Sequence, residues 1–283
     1  MDTKNPVLAR MEQEAKRNGG YAPFGAGATA APAAGTSTAT LAQTYSPTAA
    51  PTVGAPTSPI TMPDVVAKTA VMFVLVVIMA TISWNLEVNY GLILISFFAA
   101  FGLGLWAALS KTVRPVLYLA YAALMGFAIG GISLWYSTWA TEANGGENAN
   151  IVYQAVIGTF AAFAAMLVLY STRIIKVNGT FMRAMSIALM AYLGIALVSL
   201  VAAFMGVGDG WGFYGVDGIG ILLCVAGVGL AAFSLALDFK AIEVAIETGA
   251  PERESWRCAF GLVVTLIWLY LELLRLLAIL NSD

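Results

Sequence analysis

Residues 234–280 read SLALDFKAIEVAIETGAPERESWRCAFGLVVTLIWLYLELLRLLAIL, two apolar runs joined by a short polar turn. Inside the apolar text stand two carboxylates, Asp238 and Glu272. An ionisable side chain near the centre of a bilayer costs at least ~2.5 kcal/mol, so one placed there is read first as a functional group facing a bundle interior. The rest of the chain is read outward from this hairpin, as the wall around it.

Composition supports the membrane setting. Of 283 residues, 60% are hydrophobic and 11% charged, whereas soluble domains are about a quarter charged. The net charge of −2 comes from few and scattered groups, which excludes a nucleic-acid partner. Cys224 and Cys258 lack metal-like spacing and do not suggest a disulfide framework. Histidine is absent, which removes the commonest general base and metal ligand and excludes serine–histidine hydrolysis. Any pH response then falls to carboxylates, whose neutral form apolar surroundings favour. A retinal pump needs a lysine in its last helix, and none follows Lys240. The expectation is a non-enzyme without a cofactor.

Residues 1–60 open with mixed charge and continue from Gly19 to Pro59 as an Ala/Thr/Pro/Gly/Ser-rich run. So few large apolar groups cannot offset the entropy of ordering, which predicts a disordered tail. Residues 61–283 form the membrane domain. Seven apolar runs suit a hydrocarbon layer of ~30 Å, about 20 helical residues each: 64–84, 88–109, 115–139, 151–172, 181–205, 216–238 and 256–280. Pro63, Pro115, the asparagines at 148 and 150, Gly249 and Pro251 mark their boundaries. Trp84, Tyr90, Trp106, Tyr118, Trp135, Trp139, Tyr170, Trp211 and Trp256 lie near run ends, as an aromatic belt places them.

Lysine and arginine fix the expected orientation. They fall in the tail and in the second, fourth and sixth connections, whereas the first, third and fifth carry only Glu87, Glu142, Glu147, Asp209 and Asp217. The tail is therefore expected in the cytoplasm and the C-terminus outside. Gly126 and Gly130 have the spacing that lets two helices approach closely.

Beyond Asp238 the pattern of Phe239, Ile242 and Ile246 keeps a helical period to Gly249. Asp238 then lies about 16 Å from the cytoplasmic end of its helix. Two roles stand open for it: a protonatable gate or cation ligand, or a carboxylate paired with Lys240 or Lys111. Glu272 has Arg275 one turn on as a charge partner. If the helices turn near Ala250, the level of Asp238 on the last helix is 262–265, and Glu272 lies ~10–15 Å farther along.

At these residues the chain resembles the transmembrane Bax inhibitor motif family, in its bacterial branch. The resemblance is carried by LALDFKAIE in the sixth run, LYLELLRLLAIL in the seventh and YAALMGFAIGGISL in the third. It implies six helices around a central seventh, in a bacterial inner membrane. It also implies a pH-sensitive calcium leak gated by two aspartates that share a proton, with a basic latch at the cytoplasmic end of the second helix. Asp238 matches the first aspartate. The second is matched by Glu272 when LYLE is aligned, or by Thr265 when LLRLLAIL is aligned. Asp238 and Glu272 are the candidate ligands for calcium, the permeant ion, and Lys111 or Arg114 the candidate latch. A different class, a membrane partner that modulates a protease or another integral complex, is the competing function. A proton-coupled transporter lacks the internal repeat such folds show.

Overall fold

The computed structural model describes residues 58–86, 88–143, 145, 150–215 and 218–281. Residues 1–57, and with them nearly all of the expected tail, lie outside the described residues, as do Glu87, Glu147 and Asp217. Seven helices are long and apolar enough to cross a membrane: α1 (Met62–Asn85), α2 (Tyr90–Leu109), α3 (Pro115–Ala143), α4 (Ile151–Ser171), α5 (Gly179–Phe204), α6 (Ile219–Glu247) and α7 (Glu254–Leu280). There is no strand among the described residues, and the chain is an all-α integral membrane protein.

Local chemistry accounts for the helix ends. The Asp64 carboxylate accepts from the Thr61 amide and hydroxyl at the start of α1. The side chains of Asn89 and Asn178 each accept an amide in the first turn of α2 and α5. At the end of α6, Gly249 takes φ +64°. That conformation lets the amides of Gly249 and Ala250 close back on Ile246 and Ala245. The amphipathic extension read beyond Asp238 is thus real helix, and the hairpin turns within six residues, 248–253. Between α5 and α6 the chain instead makes two short 3-10 turns, Val207–Gly210 and Gly212–Gly215.

α3 and α7 are the most buried helices. α7 packs against α1, α3, α4 and α6. α2 leans on α3, and α5 on α6 and the 3-10 turns; long side chains, Phe260 of α7 toward α2 and Tyr192 of α5 toward α7, bridge these two to the central helix. The closest backbone approach is α1 on α3. A Cβ added at Gly130 would meet the Ala80 carbonyl oxygen at 2.1 Å, and one at Gly126 that of Val76 at 2.5 Å. The small-residue pair is a packing device.

One sequence expectation is corrected here. Tyr118 does not join an aromatic belt: it is fully buried on the interior side of α3, 5.0 Å from the Phe260 ring. Trp106 and Tyr90 are exposed as a belt requires. Trp135 and Trp139 close instead around Trp211, with Trp135 stacked on it at 5.0 Å.

Lys68, Lys111, Arg114, Arg173, Lys176, Arg183, Lys240, Arg253 and Arg257 fall at one end of the bundle, called here the basic end. Arg275, near the end of α7, is the exception.

Candidate functional site

Asp238 lies nine residues before the end of α6, about 13 Å from the basic end by the helical rise. Its side chain points at α7. A Cβ built on Gly261 would lie 3.3 Å from Asp238 Oδ1, and the Thr265 hydroxyl faces the same carboxyl group. Oδ2 is buried and has no hydrogen-bond partner among the described residues. A cleft of about 520 Å³ runs from this carboxylate along the facing sides of α6 and α7. Ala241, Ala245 and Gly261 leave it room, and Glu254, Arg257 and Cys258 line it toward the basic end.

Neither suggested base pairs with Asp238. Lys240 binds Glu243 at 2.9 Å, on the side where Tyr170 also donates to Glu243. Lys111 is exposed, and no ion pair or side-chain hydrogen bond engages it among the described residues.

Glu272 is elsewhere. It is 4% exposed and stands seven residues beyond Thr265, about 10 Å along α7. Tyr192 of α5 donates to its Oε1 at 2.7 Å, and the Trp268 indole to the same oxygen at 3.1 Å. Arg275 holds Oε2 at 3.3 Å. Tyr214, from the second 3-10 turn, donates to the Tyr192 hydroxyl at 3.0 Å. The Arg275 guanidinium lies over the Tyr214 ring, 4.4 Å from its centroid, and its Nε donates to the Tyr136 hydroxyl at 3.3 Å. Gly227 of α6 makes the space, since a Cβ there would come within 2.4 Å of the Tyr192 hydroxyl. A buried charge needs this many partners to offset its lost hydration.

The structure does not bring Asp238 and Glu272 together: they stand at two levels of the bundle, and Thr265 is the residue beside Asp238. Among the described residues no group of three His, Cys, Asp or Glu side chains could hold a metal ion. The intrahelical Glu272–Arg275 pair is present, as one part of a network drawn from three other elements.

Lys111 and Arg114 are exposed. The residue that ties the end of α2 to the hairpin is Arg257, which binds Glu254 at 2.8 Å. Its other amino group donates to the carbonyls of Ser110 and Lys111 at 3.1 and 3.4 Å. These carbonyls follow the last turn of α2, where a cation is favoured. Arg257 shares a helix face with Gly261 at i+4, a spacing visible in the sequence. Nothing local marked Tyr192 or Tyr214.

Beside this site the chain is clamped. Ser58 and Pro59 run antiparallel to Pro251 and Glu252, with the Ile60 amide donating to the Ala250 carbonyl at 2.8 Å. Glu252 accepts from Ser58 at 2.8 Å and Lys68 at 3.2 Å. The Ser58 hydroxyl first, then Lys68, hold the Glu252 carboxyl below the ordinary glutamate range.

No curated protein matches this chain. A family profile described as Bax inhibitor 1 like matches residues 5–282. With nearly the whole chain covered, and a seven-helix bundle closed around the Asp238 and Glu272 hairpin, this protein belongs to the Bax inhibitor 1 like family.

Proposed function

We propose that this protein is a pH-sensitive cation leak channel, with calcium as the permeant ion, in which Asp238 is the protonatable group on the pathway. The supporting observation is the Asp238 carboxylate itself: an oxygen buried without a partner, at the end of a cleft leading toward the basic end. A structural carboxylate inside a bundle is expected to be paired, as Glu272 is. One left unpaired has its charge available to whatever enters the cleft, and a hard, oxygen-preferring cation is the partner it suits. Protonation removes that charge and with it the attraction.

On this reading the basic end is cytoplasmic, in a bacterial inner membrane, and the C-terminus is outside. The Glu272 network closes the far end: Arg275 neutralises the only carboxylate there among the described residues of α6 and α7, and Tyr192 fills the space beside it. The protein performs no catalysis and needs no cofactor.

The test is calcium flux into proteoliposomes across pH 6 to 8, with Asp238→Asn and Glu272→Gln beside the wild type. The wild type is expected to pass calcium with a pH dependence that Asp238→Asn abolishes and Glu272→Gln retains. A wild type that passes no calcium at any pH ends the channel reading and leaves the partner-modulating function in its place.

A further inference from the structure

In the half of the bundle away from the basic end, α1 and α4 diverge. They touch through Phe73 and Phe160, edge to face with centroids 5.5 Å apart. Beyond that contact a crevice of about 280 Å³ opens between them. It passes inward to α3 and α7, where Ile129, Ser133, Ile267 and Tyr270 form its floor. Along α1 it extends from Phe73 to Asn85, about 18 Å of helix and so close to the half-thickness of a ~30 Å hydrocarbon layer.

The crevice is apolar apart from Trp84 and Asn85 at its outer end. No charged residue lines it. Its hydroxyl and amide groups are bonded within the protein: Ser133 with Tyr270 at 2.6 Å, Thr159 to Ala155 at 2.7 Å, Thr81 to Val77 at 2.8 Å and Asn85 to Thr81 at 2.7 Å. An apolar cavity without polar partners stays dry, and one of ~150 Å³ already holds benzene. The mouth is continuous with the bilayer-facing surface, because Val77, Val156 and Phe160 both line it and are exposed on the outside of the bundle.

We propose that this crevice is a lipid site, occupied by one acyl chain of a phospholipid from the leaflet away from the basic end. Trp84 and Asn85 stand at the headgroup level and the chain terminus rests against Phe73 and Phe160. The chain then contacts the central helix at Ile267 and Tyr270, two residues from Glu272.

The test uses the full chain in vesicles of phosphatidylcholine that carries a photoactivatable diazirine on one acyl chain, with adducts located by peptide mass spectrometry. Adducts are expected on Ile129, Ile267 or Tyr270, in addition to perimeter residues such as Ile95. In Val156→Trp, and separately in Val77→Trp, each of which fills the mouth from an exposed position, the floor adducts are expected to be lost while the Ile95 adducts stay. Adducts confined to the perimeter overturn the proposal. So do floor adducts that persist in both filled variants, or protein–protein cross-links through Val77 and Phe160, which would give the crevice to a second copy of the chain.

Discussion

Tyr192 reaches across from α5 to donate its hydroxyl to Glu272 Oε1 at 2.7 Å, and this one bond joins a peripheral helix to the centre of the bundle. α5 otherwise packs on α6 and the 3-10 turns. The acid it binds is buried, and Arg275, Trp268 and Tyr192 all converge on it. Removing the acid strands three donors, one of them charged. Glu272→Ala is expected to lower stability by about 3–5 kcal/mol, the usual result of breaking a buried pair from one side. Glu272→Gln, which still accepts from Tyr192 and Trp268, is expected to lose less. Reversible unfolding in mixed micelles measures both, and equal stability of Glu272→Ala and wild type would show the network to be dispensable.

Asp238 is expected to behave in the opposite way. Its Oδ2 has no partner to abandon among the described residues, so Asp238→Asn should leave the unfolding midpoint unchanged or raise it, while pH-dependent flux is lost. A midpoint lowered as far as in Glu272→Ala would mean that Oδ2 is bonded in the native protein. Thr265→Asp places a second carboxylate beside the first, where two like charges cannot both ionise freely. That variant should move the midpoint of the flux–pH curve to higher pH.

Arg257 and Lys111 make a separate contrast. Arg257 holds the carbonyls that follow α2, whereas the Lys111 side chain is exposed. Arg257→Gln should free the end of α2, seen as faster amide exchange through the last turn before Leu109. Lys111→Ala and Arg114→Ala should leave that exchange as in the wild type. The reverse pattern would place the tie at Lys111 or Arg114 instead of Arg257.

Glu252 supplies a pH dependence outside the membrane-spanning segments. Its carboxyl is held below the ordinary value of 4.5, by Ser58 first and then Lys68. A group whose folded pKa is depressed stabilises the folded state above its unfolded pKa and loses that contribution as pH falls through the folded one. The clamp of residues 58–60 on the hairpin should therefore hold at neutral pH and loosen below pH 4.5. Amide exchange at Ile60, corrected for its intrinsic pH dependence, measures it. Glu252→Gln should remove the acid-induced change, and a clamp equally protected at pH 3.5 and 6 would contradict the assignment.

The helices were legible because seven apolar lengths and their Pro, Asn and Gly boundaries are local properties. The level of Asp238 was legible for the same kind of reason: a short turn and a fixed rise per residue put it opposite 262–265, and Gly261 and Thr265 are the residues found there. Glu272–Arg275 followed from helix spacing. Tyr192 did not, because nothing in the sequence of α5 states which helix its hydroxyl will meet. The contact of Arg257 with the end of α2 was not legible, because it depends on how α2 packs beside α7. Tyr118 was misplaced because nearness to a helix end in sequence says nothing of whether that helix is interior.

The antiparallel contact of residues 58–60 with the α6–α7 turn divides the basic end into unlike parts. The start of α1, the end of α6 and the start of α7 are cross-braced there by backbone bonds and by Lys68, so they turn as one body. The end of α2 is tied to that body by the Arg257 guanidinium and by the packing of Ala107 with Ala259 and Phe260. Were the cleft beside Asp238 to widen, the braced hairpin would serve as the anvil and Arg257 as the pin that joins α2 to it.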